Sequence, residues 1–199
     1  AHGLRNTASG WQSTAVGDLN EATADWTVAL GIQNTASGES STAVGQWNET
    51  KGYIASAFGY HNSVTGDGSL ATGLENNASG HYSSAIGAYN RAEGLDSSAF
   101  GSNNQALAQG STALGYHNQA TADDTTAVGY ENEAFGNYST AVGYHNHALE
   151  ADSTAIGHEN IALGTSSTAL GTLNSATGEM SNAIGSNNEA SADYSHAIG

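Results

Sequence analysis

Two residue types are missing from the sequence altogether. Its 199 residues contain neither cysteine nor proline. Without cysteine the chain can form neither a disulfide framework nor a thiolate metal site. The absence does not identify the cellular compartment, because secreted repeat proteins can also do without cysteine.

Long hydrophobic runs and positive charges are scarce too. No window approaches the ~18 consecutive apolar residues of a transmembrane helix, and no basic segment followed by an apolar one indicates a signal peptide. Arg5, Lys51 and Arg91 are the only fixed cations against 19 acidic residues, which gives a net charge of −16. Nucleic acid and anionic membranes attract positive surfaces, so we expect neither as a partner and no membrane contact by this chain.

A repeat of fixed length runs through the whole chain. The pentad Ser153-Thr154-Ala155-Ile156-Gly157 ends in a glycine that recurs every 14 residues from Gly17 to Gly199, with no insertion or deletion. Two residues before each of these glycines there is always alanine, and three residues after it there is asparagine wherever the chain continues. A fixed short period is the signature of stacked repeats, so we predict one domain over residues 1–199, made of 14 in-register repeats.

Helix formation is excluded by the composition of the repeat. Each copy contains one to three glycines, several Ser, Thr and Asn residues, and no apolar stripe at helical spacing. Alternation with a period of two fits instead, with Ser-x-Ala-x-Gly as one strand of about five residues and Asn-x-Ala-x-Gly as a second. The periods of a hexapeptide β-helix and of a nine-residue calcium β-roll do not match. The sequence therefore predicts an all-β solenoid of flat 14-residue coils that stack in parallel.

Stacking places the same position of every repeat in one column, and parity assigns the columns to faces. Ser, Ala and Gly of the first strand share one face, and Asn, Ala and Gly of the second strand share another. These residues are small enough for the narrow space between two strands, so we predict that they fill the coil. The asparagine column is expected to form an amide ladder, and the glycines are expected to supply positive φ at the corners.

Large apolar residues immediately before the repeat glycine form a column on the outward face of the first strand, and Thr72 is its one exception. A continuous exposed apolar column marks an interface. One large side chain per coil also offsets only a small part of the entropy lost when the coil is ordered. We therefore predict self-association through the apolar column, which comprises Val16, Leu30, Val44, Phe58, Ile86, Phe100, Leu114, Val128, Val142, Ile156, Leu170 and Ile184.

An alternative places the large residues inside each coil and alanine at the interface. A threonine column, of which Thr140 and Thr154 are examples, shares the face of the large residues and argues against this arrangement. Parity alone leaves both assignments open.

The repeat resembles a known family. Ser-x-Ala-Ile/Val-Gly followed by Asn-x-Ala-x-Gly at 14-residue spacing is similar to the YadA-like head repeats of trimeric autotransporter adhesins, and Ser83–Gly87 and Ser153–Gly157 are close matches. The resemblance covers the whole chain. It implies a left-handed parallel β-roll whose chains pack side by side as a homotrimer. It also implies a virulence-related adhesin, with this chain as an exposed passenger head at the outer membrane of a bacterium.

The same resemblance implies binding of host extracellular matrix proteins, such as collagen, fibronectin or laminin, or of cell-surface receptors, or else autoaggregation. Because neither end of the chain looks like a capping repeat, we expect it to be a fragment of a longer surface protein.

No catalytic constellation emerges from the sequence. Ser, His and Asp are present, but they occupy repetitive columns rather than one unique cleft. We therefore expect neither enzyme activity nor a cofactor.

The most distinctive surface follows the repeat glycine in three successive coils, where tyrosine is repeated and histidine alternates with glutamate. We predict a partner-binding stripe of tyrosine anchors with polar neighbours, because such residues dominate binding energy at interfaces. The structural alternative is a set of solvated turn residues with stacked rings. The predicted binding residues are Tyr116, Tyr130, Tyr144, His117, Glu131 and His145.

Aspartates cluster at the other turn. Stacked carboxylates can hold a hard cation such as calcium, but only Asp123 and Asp124 are adjacent and no multidentate loop is evident. We favour turn-forming aspartates over a metal site.

The functional prediction is an adhesin head, and two alternatives remain. A mechanical spacer rod would need the same architecture. An ice-binding β-solenoid would use a flat threonine column, but here that column interleaves with Val and Ile.

Overall fold

The computed structural model describes residues 1–199, which form β-strands and turns without any helix. No element therefore has the length and apolar character of a membrane-crossing helix.

The chain forms two compact units, Ala1–Ser102 and Asn103–Gly199. The strands of the first unit are β1 (His2–Leu4), β2 (Thr7–Ala8), β3 (Thr14–Asp18), β4 (Glu21–Ala22), β5 (Val28–Ile32), β6 (Thr35–Ala36), β7 (Thr42–Gln46), β8 (Glu49–Thr50), β9 (Ser56–Tyr60), β10 (Ser63–Val64), β11 (Leu70–Leu74), β12 (Asn77–Ala78), β13 (Ser84–Ala88), β14 (Arg91–Ala92) and β15 (Ser98–Ser102). The strands of the second unit are β16 (Gln105–Ala106), β17 (Thr112–Tyr116), β18 (Gln119–Ala120), β19 (Thr126–Tyr130), β20 (Glu133–Ala134), β21 (Thr140–Tyr144), β22 (His147–Ala148), β23 (Thr154–His158), β24 (Ile161–Ala162), β25 (Thr168–Thr172), β26 (Ser175–Ala176), β27 (Asn182–Ser186), β28 (Glu189–Ala190) and β29 (His196–Ile198).

Each repeat contributes one strand to each of two parallel sheets. In both units odd-numbered strands pair with odd-numbered strands, forming the long-strand sheet, and even-numbered strands pair with one another in the short-strand sheet. Every pairing is parallel and offset by one repeat: Ala141 is opposite Ala155 in the long-strand sheet, and Ala148 is opposite Ala162 in the short-strand sheet. The predicted parallel solenoid of 14-residue coils is confirmed.

The second strand of each coil is shorter than predicted, with two residues instead of about five. The backbone ladder is interrupted at Asn160, whose backbone N–H donates to the side-chain Oδ1 of Asn146 and not to a backbone carbonyl oxygen. In the two residues that follow Ile161–Ala162, the N–H groups of Leu163 and Gly164 both donate to the backbone carbonyl oxygen of Ala176, at 2.8 and 3.3 Å. Two successive donors on one acceptor bend the chain, so the extended segment ends there.

Small residues fill the coils, as parity predicted. The repeat alanines of both strands are buried, except Ala8 and Ala197 in the terminal coils, which are half-buried, and Val64 is the only larger apolar side chain among the core residues. The asparagine column and most of the serine column are buried too. The large apolar column stays half-buried or exposed on the outer face of the long-strand sheet. The alternative arrangement, with large residues inside the coil, is therefore wrong.

Two glycines of the repeat lie where the backbones of successive coils approach closely, one within the long strand and one at the bend that follows the short strand. Gly157 has the predicted positive φ, +125, but it lies within β23 and is half-buried. A Cβ atom there would overlap the carbonyl oxygen of Gly171 in the next coil. Gly164 is buried, and a Cβ atom would overlap the carbonyl oxygen of Gly178. Close approach of successive backbones, rather than corner geometry alone, requires these glycines.

The corners are formed mainly by residues other than glycine in the left-handed conformation. One corner lies two residues after the repeat glycine, as at Glu159 with φ +52, and the other five residues before it, as at Asp152 with φ +58. Each left-handed residue donates its N–H to the carbonyl oxygen of a residue in the preceding coil, for example Glu159 to Tyr144 at 2.9 Å. Such bonds help to hold a conformation that L-residues adopt only at a cost.

Candidate binding surface

The predicted tyrosine residues end three neighbouring strands of the second unit. The register of the long-strand sheet places Tyr116 opposite Tyr130 and Tyr130 opposite Tyr144. His158 takes the same position in the next coil. The four rings form one continuous column, which we call the tyrosine column.

The rings of the tyrosine column are stacked face to face. Their centroids lie 5.1 Å apart between Tyr116 and Tyr130, 5.2 Å between Tyr130 and Tyr144, and 4.9 Å between Tyr144 and His158. The interplanar angles are 18°, 7° and 9°. The tyrosines are nevertheless 43%, 40% and 43% exposed. The stack therefore orders these side chains while leaving much of their surface open to a partner.

A corner column of alternating charge type runs beside the rings. Its residues have φ between +52° and +59°, and each turns the chain away from the long-strand sheet. The N–H groups of Glu131 and His145 donate to the carbonyl oxygens of Tyr116 and Tyr130, both at 2.9 Å, which ties the corner to the tyrosine column. The corner column consists of His117, Glu131, His145 and Glu159.

Histidine nitrogens face glutamate carboxylates along this corner. His145 Nε2 lies 3.8 Å from Glu131 Oε2, and His158 Nε2 lies 3.8 Å from Glu159 Oε1. A hydrogen bond to the Glu131 carboxylate, together with its negative charge, raises the pKa of the Tyr130 hydroxyl above its ordinary value.

The short-strand sheet adds residues that the sequence prediction missed. His147 Nδ1 lies 2.7 Å from Glu133 Oε2, and the His147 ring meets the His145 ring edge-on at 5.2 Å. The alternation of the sequence was the available signal, because a corner residue and the residue two positions later, at the start of the short strand, share a face. The predicted bounds of the short strand were wrong. A depression of ≈ 270 Å³ is lined by His117, Gln119, Glu131, Glu133, His145 and His147.

The predicted apolar column runs along the long-strand sheet of each unit and is interrupted only at Thr72 in the first unit. In the second unit Leu114, Val128, Val142 and Ile156 are opposite one another in successive strands. In the first unit Thr72 stands between Phe58 and Ile86, as the sequence indicates. The exposed members are Val16, Phe58, Leu114 and Leu170, and the half-buried ones are Leu30, Val44, Ile86, Phe100, Val128, Val142, Ile156 and Ile184.

Aspartates of the other turn bond the backbone. Asp25 Oδ1 accepts from the N–H of Trp11 at 2.7 Å, and Asp67 Oδ1 accepts from the N–H of Tyr53 at 2.8 Å. No group of three or more His, Asp or Glu side chains has a geometry that could hold a metal ion. The interpretation as turn-forming aspartates therefore agrees with the structure.

Comparison with known proteins identifies the repeat. The family model described as the YadA head domain repeat matches residues 8–31, 22–46, 52–76, 65–90, 92–118, 120–146, 148–174 and 176–199. No curated protein sequence matches the chain significantly. The family model covers nearly the whole chain, and each match spans about two coils. The chain therefore belongs to the YadA head repeat family, the head domains of trimeric autotransporter adhesins.

Proposed function

We propose that this chain is the adhesive head of a bacterial surface protein, held at the outer membrane as a homotrimer of left-handed β-rolls. It binds host extracellular matrix or cell-surface proteins through the tyrosine column and its corner, or mediates autoaggregation through the same surface. Family membership supports the general role, since the family comprises surface adhesins that are in general not enzymes.

One observation carries the choice of binding surface: an exposed stack of aromatic rings beside paired charges. Tyrosine offers a large amphipathic contact area with few rotatable bonds, and aromatic residues are enriched among those that dominate binding energy. Stacking of Tyr130 between Tyr116 and Tyr144 lowers the entropy that binding would cost. His145 and Glu131 supply a polar rim that can pair with a protein partner of either charge.

The apolar column supports the proposed trimer. Its side chains are large apolar groups, yet they stay half-buried or exposed while alanine fills the interior. A second and third copy would remove this surface from water, at about 25 cal/mol per Å² of apolar area. The chain turns away directly after the tyrosine column, so the rings lie at the rim of the long-strand sheet.

The test replaces Tyr116, Tyr130 and Tyr144 together by alanine. Binding of the purified protein to collagen, fibronectin, laminin and cultured cells is measured before and after. We expect affinity for the partner to fall at least about thirtyfold, because truncating dominant interface residues costs about 2 kcal/mol or more. Undiminished binding would refute the assignment of this surface.

A matched control is available at the opposite corner. Tyr82, Tyr138 and Tyr194 are also exposed and occupy the left-handed position of their coils. Their replacement by alanine removes the same number of rings and should leave binding unchanged. If the unaltered protein binds none of these partners and does not aggregate, the spacer interpretation replaces the adhesin. Thermal hysteresis in the same sample would instead favour the ice-binding alternative.

A further inference from the structure

A separate aromatic cluster lies in the first unit. Gln33, Trp47 and His61 occupy the same left-handed corner in three successive coils, with φ of +53°, +58° and +55°. Tyr60 ends strand β9 beside them. Trp47 is the only tryptophan at this corner, since Trp11 and Trp26 belong to the opposite one.

The indole of Trp47 is fixed in orientation but remains open. Its Nε1–H donates to Gln33 Oε1 at 2.6 Å. The ring of Tyr60 meets it edge-on at 5.2 Å and that of His61 at 6.4 Å. Trp47 is still 40% exposed. A large apolar surface is therefore preorganised, and its ordering cost does not fall on a ligand.

A depression of ≈ 410 Å³ adjoins the indole, and we call it the Trp47 groove. This volume lies within the range of about 300–1,000 Å³ that is typical of small-molecule sites. The lining residues are Gln33, Thr35, Trp47, Asn48, Glu49, His61, Asn62 and Ser63.

The polar groups available to a ligand stand in one row. Thr35, Glu49 and Ser63 are opposite one another in the short-strand sheet, so a carboxylate lies between two hydroxyl groups. Asn48 and Asn62 form part of the lining, but their amides are engaged in the asparagine ladder. The ligand would thus meet two hydroxyls, one carboxylate, the amide of Gln33 and the rings of Trp47 and His61.

This combination suits a sugar. The face of an aromatic ring carries negative charge density and attracts the weakly positive C–H groups on the apolar face of a pyranose. A carboxylate flanked by hydroxyls accepts hydrogen bonds from adjacent sugar hydroxyls. Lys51 Nζ lies 2.8 Å from Glu49 Oε1 and balances its charge, while the chain as a whole carries −16. An anionic sugar is therefore disfavoured.

We propose that the Trp47 groove binds a neutral, pyranose-containing oligosaccharide. The site uses residues of the first unit only and takes a different class of ligand from the tyrosine column. The proposal consequently stands whether or not the tyrosine column binds matrix proteins.

The test titrates lactose and cellobiose into the purified protein. Saturation-transfer NMR detects the bound sugar, and the fluorescence of the Trp11→Phe/Trp26→Phe variant isolates Trp47, because the chain has three tryptophans. We expect a saturable response to at least one sugar. Trp47→Ala should weaken binding at least about tenfold, which corresponds to about 1.4 kcal/mol, while Trp26→Ala should leave it unchanged.

Glu49→Gln provides a second variant in case Trp47→Ala disturbs the fold. It keeps the size of an exposed side chain, and a loss of about tenfold is expected because the amide offers fewer acceptor positions (about 1.4 kcal/mol). Sialyllactose, which adds a carboxylate to the lactose core, should bind more weakly than lactose. The proposal is overturned by absence of saturable binding of both neutral sugars, by binding in Trp47→Ala and Glu49→Gln that is as tight as in the unaltered protein, or by tighter binding of sialyllactose.

Discussion

At the scale of the residue, one asparagine per coil replaces several backbone hydrogen bonds. The backbone N–H of Asn160 donates to Asn146 Oδ1 at 3.1 Å, and its Nδ2 donates to the same oxygen at 2.9 Å. Its Nδ2 also reaches the carbonyl oxygens of Ile156 at 3.0 Å and of Gly171 at 2.7 Å. The side chain thus links its own coil to both neighbours at the point where the chain turns. These hydrogen bonds confirm the predicted amide ladder. The ladder could be predicted because it depends only on the residue type and on the period of the repeat.

Removal of one rung should be costly. Asn146→Ala leaves the N–H of Asn160 and the carbonyl oxygens of Val142 and Gly157 without their side-chain partner. Each buried polar group left unpaired costs about 1–3 kcal/mol, so we expect a loss of roughly 3 kcal/mol or more in the free energy of unfolding. Urea denaturation followed by circular dichroism measures it.

The control for this substitution is Asn137→Ala. Asn137 is exposed at the opposite turn, and its replacement should change the free energy of unfolding by no more than about 0.5 kcal/mol. Equal effects of the two substitutions would show that the ladder does not stabilise the coil.

The left-handed corners could not have been predicted at this scale. Residues such as Glu131 and Glu159 carry no preference for positive φ, unlike glycine or asparagine. Their conformation follows from the need to return the chain within 14 residues and from the bond that each N–H makes to the preceding coil. Tertiary context decides it, and a single repeat contains no local signal.

At the scale of the element, the two strands of a coil differ in how much could be read from the sequence. The long strand was predicted correctly, because Ser-Thr-Ala-Ile-Gly alternates clearly and its register follows from the period. The short strand was predicted too long, since alternation continues through Asn160 and Gly164 although backbone pairing is limited to Ile161–Ala162. At Asn160 a side-chain acceptor replaces the backbone acceptor of the sheet. This replacement leaves the alternation of residue types unchanged, so the sequence pattern does not reveal it.

The candidate site follows the same division. The tyrosine column was predicted because Tyr116, Tyr130 and Tyr144 share one repeat position, and a constant period makes such residues neighbours. Glu133 and His147 were missed, because joining them to the corner requires the true bounds of the short strand.

Glycine within the long strand should be irreplaceable. Gly157→Ala would place a Cβ atom on the carbonyl oxygen of Gly171 at a φ of +125, which L-residues rarely adopt. We expect a loss of about 3 kcal/mol or more in the free energy of unfolding, from strain and overpacking together. Denaturant unfolding and circular dichroism are again the measurement.

Gly68→Asn is the matched control. Gly68 also has a positive φ, +64, but it is exposed at a corner where Ile54 and Tyr82 of the adjacent coils adopt the same conformation. Asparagine tolerates this conformation, and its Cβ atom would meet only the exposed ring of Tyr82, which can move, so the expected loss is below about 1 kcal/mol. A cost for Gly68→Asn as large as that for Gly157→Ala would contradict the distinction between close approach and corner geometry.

At the scale of the whole molecule, the distribution of apolar side chains predicts an interface with another chain. The core contains only alanines and Val64 as hydrophobic residues, whereas Val, Ile, Leu and Phe lie outside it. An exposed apolar surface that continues from strand to strand is typical of an interface. Membership of the YadA head repeat family agrees with this interpretation, since its members belong to trimeric autotransporter adhesins. The number of chains and the handedness of the coil came from the resemblance, because one chain's residues do not encode either in a readable pattern.

Sedimentation equilibrium tests the central claim, that the apolar column holds the chains together, most directly. The unaltered protein should have three times the mass of its 20.1 kDa chain. Val128→Glu/Val142→Glu/Ile156→Glu should sediment as a single chain with its β-sheet circular dichroism retained, because three charges would be buried without partners at the interface. The control Thr7→Glu/Ile161→Glu/Ser175→Glu adds the same charges to the short-strand sheet, where glutamate already occurs at Glu133 and Glu189, and should keep the mass of three chains. A triple variant of the apolar column that still sediments as three chains would contradict the assignment of this face.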